Sequence, residues 1–106
     1  MSRNWVEVTP ASASERPLLE GLMQFYHYDF SELEPEGSPD LEFDARGLFE
    51  PYRYLPDYWR EAGRIPLIVR KEGKVAGFAL INRRSHFGGE VERNMAEFFV
   101  ARKHRR

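Results

Sequence analysis

An α/β fold, built on a mostly antiparallel sheet with helices supplied by the N-terminal half, is what this sequence predicts. Two observations carry the expectation. One short strand-like stretch near the start is followed by an amphipathic helical stretch, and three strand-like stretches joined by turns fill the second half. A helical crossing ahead of an antiparallel meander gives a sheet with helical cover, because each element must bury its one apolar face against another layer.

Taken in order, Trp5-Val6-Glu7-Val8-Thr9 alternates in part and runs into Pro10, which reads as a strand and then a turn. Ser14 offers an N-cap oxygen, and Pro17 is tolerated in a first helical turn. Leu18, Leu22 and Phe25, with Leu19, Met23 and Tyr26, recur at helical spacing, so a helix is expected from about Glu15 to Tyr28. Residues 29–49 are rich in Asp, Glu, Gly and Pro. They also carry Phe30, Leu33, Leu41, Phe43, Leu48 and Phe49, which suit an ordered irregular loop better than a disordered linker. Tyr54, Leu55, Tyr58 and Trp59 suggest a short second helix between Tyr52 and Glu61, with Pro51 bearing on its start and Pro56 on its continuity.

Ile65 to Arg70 and Val75 to Arg83 read as two strands. The Lys71-Glu72-Gly73-Lys74 turn between them makes the pair a hairpin. Ser85 to Asn94, with Gly88-Gly89, reads as a further turn or loop. Met95-Ala96-Glu97-Phe98-Phe99-Val100 is a third strand, and a basic run from Arg102 to Arg106 follows it.

The 106 residues are expected to form a single domain. Sixteen basic against 17 acidic residues leave a net charge of −1, which argues neither for nucleic acid nor for a membrane surface. With no cysteine there is no disulfide, thiolate metal site or cysteine nucleophile, in keeping with a reducing compartment. Neither a basic-then-apolar leader nor an apolar run of membrane-spanning length is present, so the expected location is cytoplasmic. His27, His86 and His104 lack metal-ligand spacing, and no metal site is expected. No nucleophile-elbow pattern points to a hydrolase.

Three segments carry a family resemblance. Gly73-Lys74-Val75-Ala76-Gly77-Phe78-Ala79-Leu80-Ile81 resembles the third strand of the GNAT family of N-acetyltransferases. Met95 to Val100 resembles the fourth, and Ala101 to Arg106 resembles the approach to that family's glycine-bearing pyrophosphate loop. The helix ending Leu22-Met23-Gln24-Phe25-Tyr26-His27-Tyr28-Asp29-Phe30 is similar to that of a bacterial subgroup. The resemblance implies a partial GNAT-like fold with N-terminal helices. The C-terminal helix and later strands would be missing, so the chain would be an apparently truncated domain. It also implies acetyl-CoA as acyl donor, with binding by so short a chain in question, and a small-molecule or peptide amine as acceptor.

The same resemblance implies the site residues. Glu97 would be the catalytic base. Its alternative reading is a solvent-facing residue alternating with Ala96 and Phe98. The backbone of Phe98, Phe99 and Val100 would pair with the amides of pantetheine. Arg105 and Arg106, with Arg102 and Lys103, would lie near the phosphates; a solvated terminus is the plain alternative, and a nucleic-acid tail ranks low. Tyr26 and Tyr28, with His27 and Asp29, would border the acceptor pocket, although aromatic residues at helical spacing are more often core. The acidic loop could attract a cationic amine or simply be solvated. The rival to an enzyme is a non-catalytic module that self-associates, as a homodimer for instance, or takes a partner protein through an open strand edge.

Overall fold

Aliphatic and aromatic residues at alternate positions favour extended chain where one face can be buried. In the computed structural model, which describes residues 5–84 and 90–105, four stretches of this kind form one sheet. The strands are β1 (Val6–Pro10), β2 (Ile65–Lys71), β3 (Lys74–Arg84) and β4 (Glu90–Val100). They lie in the order β1-β2-β3-β4, and every neighbouring pair is antiparallel. Among the described residues there is one α-helix, α1 (Arg16–Ser31), which follows β1 after a short turn and crosses one face of the sheet. The chain is therefore an α/β protein with a four-stranded antiparallel sheet.

The β2–β3 connection shows how local chemistry sets the register. Glu72 and Gly73 have φ of 53° and 79°. Positive φ at both central residues matches the right-handed twist of the flanking strands. Further along β3, the β4 backbone passes so close to Gly77 that a Cβ there would stand 1.9 Å from the Phe99 carbonyl oxygen. The absence of a side chain at Gly77 is what lets the two strands meet.

Several expectations are corrected by the structure. Ser14 does not cap the helix. It lies inside a 3-10 turn, Ala13–Glu15, where the Ser12 backbone N–H donates to the Glu15 carboxylate at 3.0 Å. The helix also runs on to Ser31, held at its end by Tyr26 and Phe30, whose rings meet edge to face at 4.9 Å between centroids. The expected second helix is only a 3-10 stretch, Leu55–Trp59. Pro51 and Pro56 lack the N–H groups that a longer i to i−4 ladder needs. Glu90 to Asn94, expected as loop, is the first half of β4. Gly88-Gly89 lies outside the described residues.

Alternation along the strands sends two sets of side chains to opposite faces. Ile68, Phe78, Leu80 and Phe99 point toward α1 and meet Leu19 and Met23 from the helix, with Leu55 and Tyr58 from the 3-10 stretch. Leu19, Ile68 and Phe78 are wholly buried. The register places Phe78 beside Phe99 and Leu80 beside Glu97, so Glu97 shares the helix-covered face with Phe99. The other face carries Val8, Val69, Ala79 and Phe98, of which Val8 and Phe98 are more than half exposed.

Candidate functional site

A carboxylate on the covered face of a sheet must find donors, because an ionised group stripped of water without them is costly. Glu97 finds two. The Tyr26 hydroxyl on α1 donates to its Oε2. The Tyr52 hydroxyl, from the segment before the 3-10 stretch, donates to its Oε1 at 3.3 Å. Both oxygens of the acid are thus tied to the layer that covers the sheet. Burial, followed by the hydrogen bond and negative charge of Glu97, raises the Tyr26 phenol above its ordinary value. Burial and the Glu97 charge do the same to Tyr52. Both tyrosines therefore remain protonated and keep donating at neutral pH.

His27 follows Tyr26 on the helix and joins the same aromatic group, 6.5 Å from the Tyr52 ring and 6.2 Å from Phe49 between centroids. Its Nδ1 is shut away from solvent and has no hydrogen-bond partner. Burial lowers its pKa, opposed by the nearby Glu97 charge. Gln24, one turn earlier, pins Phe49 in place by accepting its backbone N–H at 2.8 Å and donating to its carbonyl at 3.0 Å.

Three clefts border this group. One, of about 360 Å³, lies between α1 and residues 46–56. Of the other two, the first, about 470 Å³, runs along the end of β4 and is walled by Tyr26, Phe30, Phe98, Phe99, Val100 and Arg105. Arg105 is held there by its Val100 carbonyl contact, by an ion pair to Asp29 at 2.9 Å, and by its position 5.7 Å above the Phe99 ring. Arg102 reaches the same Asp29 at 3.1 Å. The basic run is thereby folded back on α1, and Arg102–His104 forms a 3-10 turn. The second cleft, about 370 Å³, lies on the other side of Tyr52 and is bordered by His27 and the loop from Pro39 to Arg53.

The structure brings together Tyr26, Glu97, Phe98, Phe99, Val100 and Arg105 from the residues singled out in the sequence. Tyr28 stands apart: it is 57% exposed on the outer side of α1 and lines none of the three clefts. Arg106 lies outside the described residues. Tyr52 was legible only as a helix residue, since nothing local marks a partner 45 positions away from Glu97. Among the described residues, no group of three or more His, Cys, Asp or Glu side chains could hold a metal ion, and no helix is long and apolar enough to cross a membrane.

The fold and site define an α/β protein whose fourth strand carries an acid hydrogen-bonded by two tyrosines, each of which borders a cleft. Compared with protein-family models, curated proteins and solved structures, the chain matches none.

Proposed function

We propose that this protein is a GNAT-type acyltransferase that moves an acetyl group from acetyl-CoA to an amine. The observation that carries the reading is Glu97 on β4, whose two oxygens accept from Tyr26, a wall of the cleft with the basic end, and from Tyr52, a wall of the cleft with the acidic side. The element order supports it as well: a helix between the first two strands, then a three-stranded meander. In this reading the thioester lies in the first cleft against residues 98–100, and Arg105 exchanges Asp29 for a phosphate of the donor. The amine nitrogen attacks the thioester carbonyl carbon. A C–N bond forms, the C–S bond breaks, and the thiolate leaves. The proton lost by the nitrogen goes to the Glu97 carboxylate, directly or through a water molecule. Direct transfer suits a chain with no cysteine to form an acyl-enzyme.

Calorimetric titration of the purified chain with acetyl-CoA tests the reading. Saturable binding that exceeds binding of ADP is expected, and its absence from folded protein overturns the proposal. Glu97→Gln is expected to leave acetyl-CoA affinity intact while lowering turnover by about 10²-fold or more.

A non-catalytic, self-associating module is the second reading. It draws on the sheet face away from α1, where Val6, Val8, Met95 and Phe98 are each more than half exposed. Sedimentation separates the two. A monomer that binds acetyl-CoA removes the second reading, and a dimer that ignores acetyl-CoA removes the first.

A further inference from the structure

An antiparallel sheet with one face in water usually alternates, with apolar residues turned inward and polar residues outward. This sheet departs from that pattern. Its polar strand residues turn toward the side that α1 covers: Glu7 opposite Arg70, which reaches Glu15, then Asn82 beside Tyr58, and Glu97. The uncovered side is the apolar one. Two rows of the register cross it, Val8 to Val100 and Pro10 to Phe98, and a third joins Ile81 to Met95. No charged side chain interrupts these rows, and Lys71 and Lys74 stand beyond them at the hairpin end. Val8, Met95 and Phe98 are nevertheless each more than half exposed, because α1 and the Leu55–Trp59 stretch pack on the opposite side.

A sheet that is apolar on both faces needs a layer on each. Size and chemistry point to what supplies the second one. Four strands about 4.8 Å apart, over about six residues at ~3.4 Å each, present a footprint of about 400 Å². Two copies together cover about 800 Å² of footprint, and side-chain relief takes the accessible area toward the ~1,000 Å² at which specific interfaces begin. A patch centre without charge is the composition of interfaces between identical subunits. A two-fold axis lets one patch serve both copies, and two sheets of equal twist pack face to face at about 30°. The lysines at the hairpin end carry their charges out to water on long stems.

We infer that the sheet face away from α1 is a homodimer interface, in which the sheets of two copies pack face to face about a two-fold axis. Burial of Val8, Met95 and Phe98 holds the second copy. The inference deepens the self-association of the second reading by naming its partner and packing, and it rests on that self-association without requiring an inert chain. Phe98 and Val100 belong both to this face and to the first cleft, so the partner borders that cleft, while Glu97 lies on the opposite side of the sheet.

The test is sedimentation velocity on the purified full chain over a concentration series, with and without acetyl-CoA. A monomer–dimer transition in the micromolar range is expected, and added salt is expected to leave it intact because the contact is apolar. Val8→Lys with Met95→Lys is expected to weaken the dimer by about tenfold or more while circular dichroism shows an unchanged fold, since both positions are exposed in the single chain. In the native protein the Met95 methyl resonance is expected to shift as concentration rises through the transition, and that of buried Met23 to stay. A folded chain that remains monomeric overturns the inference, as does one that instead partitions onto vesicles of anionic phospholipid. A dimer that survives the double substitution, or that forms without moving the Met95 methyl, uses another surface and overturns it too. A dimer that ignores acetyl-CoA supports this inference and overturns the acyltransferase; a monomer that binds acetyl-CoA overturns this inference and leaves the acyltransferase standing.

Discussion

Single side chains in this protein have their properties set by partners far away in the chain. Glu97 would be an ordinary strand carboxylate if it faced solvent; facing α1, it holds the hydroxyls of Tyr26 and Tyr52. Glu15 behaves similarly at the start of the helix. The Ser12 backbone N–H, with Arg70 behind it at 3.0 Å, keeps its carboxyl below the usual value. His27 gives the clearest consequence for pH. Burial depresses its pKa in the folded chain, so the unfolded chain binds the proton first as pH falls. The stabilisation is therefore present above the ordinary histidine value of about 6.5 and is lost as pH falls below it toward the folded-state value. Urea denaturation at a series of pH values should show stability declining from about pH 7 downward. In His27→Gln the part of that decline above the carboxylate range should be reduced, and an identical profile would show that His27 has no part in it.

Within elements, two glycine-dependent features decide whether the sheet forms. Gly77 lies under the β4 backbone, where a methyl group would overlap the Phe99 carbonyl. Gly77→Ala is expected to cost about 1–3 kcal/mol, in the range of overpacking in a tight interior, and to loosen β4. Hydrogen exchange of the β4 amides is the measurement; protection equal to the parent protein would contradict the close approach. At the hairpin, Glu72 occupies a left-handed conformation that most residues resist. Asn adopts it more readily, so Glu72→Asn should stabilise by about 0.5 kcal/mol, read as a higher denaturation midpoint. The same elements show what patterning can and cannot carry. The 3.6-residue recurrence through Leu19, Met23 and Tyr26 made α1 legible, and alternation made β2 and β3 legible. The stretch Tyr52 to Glu61 misled because its aromatic residues match helical spacing while Pro56 within it and Pro51 just before it leave only a 3-10 turn.

The whole molecule is organised by one apolar cluster between the helix and the sheet. Leu19 is wholly buried there, with Ile68, Phe78 and Phe99 across from it. Leu19→Ala should cost about 2–5 kcal/mol through lost burial and the cavity left behind. Since one cluster joins both layers, far-ultraviolet dichroism and tryptophan fluorescence are expected to report the same transition midpoint in parent and variant. Separate midpoints would mean that helix and sheet melt independently.

From the sequence by itself came the α/β class, the helix between the first strand and the other three, and the hairpin at Glu72-Gly73. All of these rest on local periodicity and turn chemistry, which act over a few residues. The sequence also marked Glu97, Phe98 to Val100 and Arg105 as residues to watch. Only the tertiary structure decided that Tyr26 and Tyr52 take the two oxygens of Glu97, that Asp29 binds Arg102 and Arg105, and that Tyr28 is left outside. Those pairings join residues 45 to 76 positions apart. No local pattern encodes them, because they exist only once the register of β3 on β4 and the seating of α1 have turned particular faces toward each other.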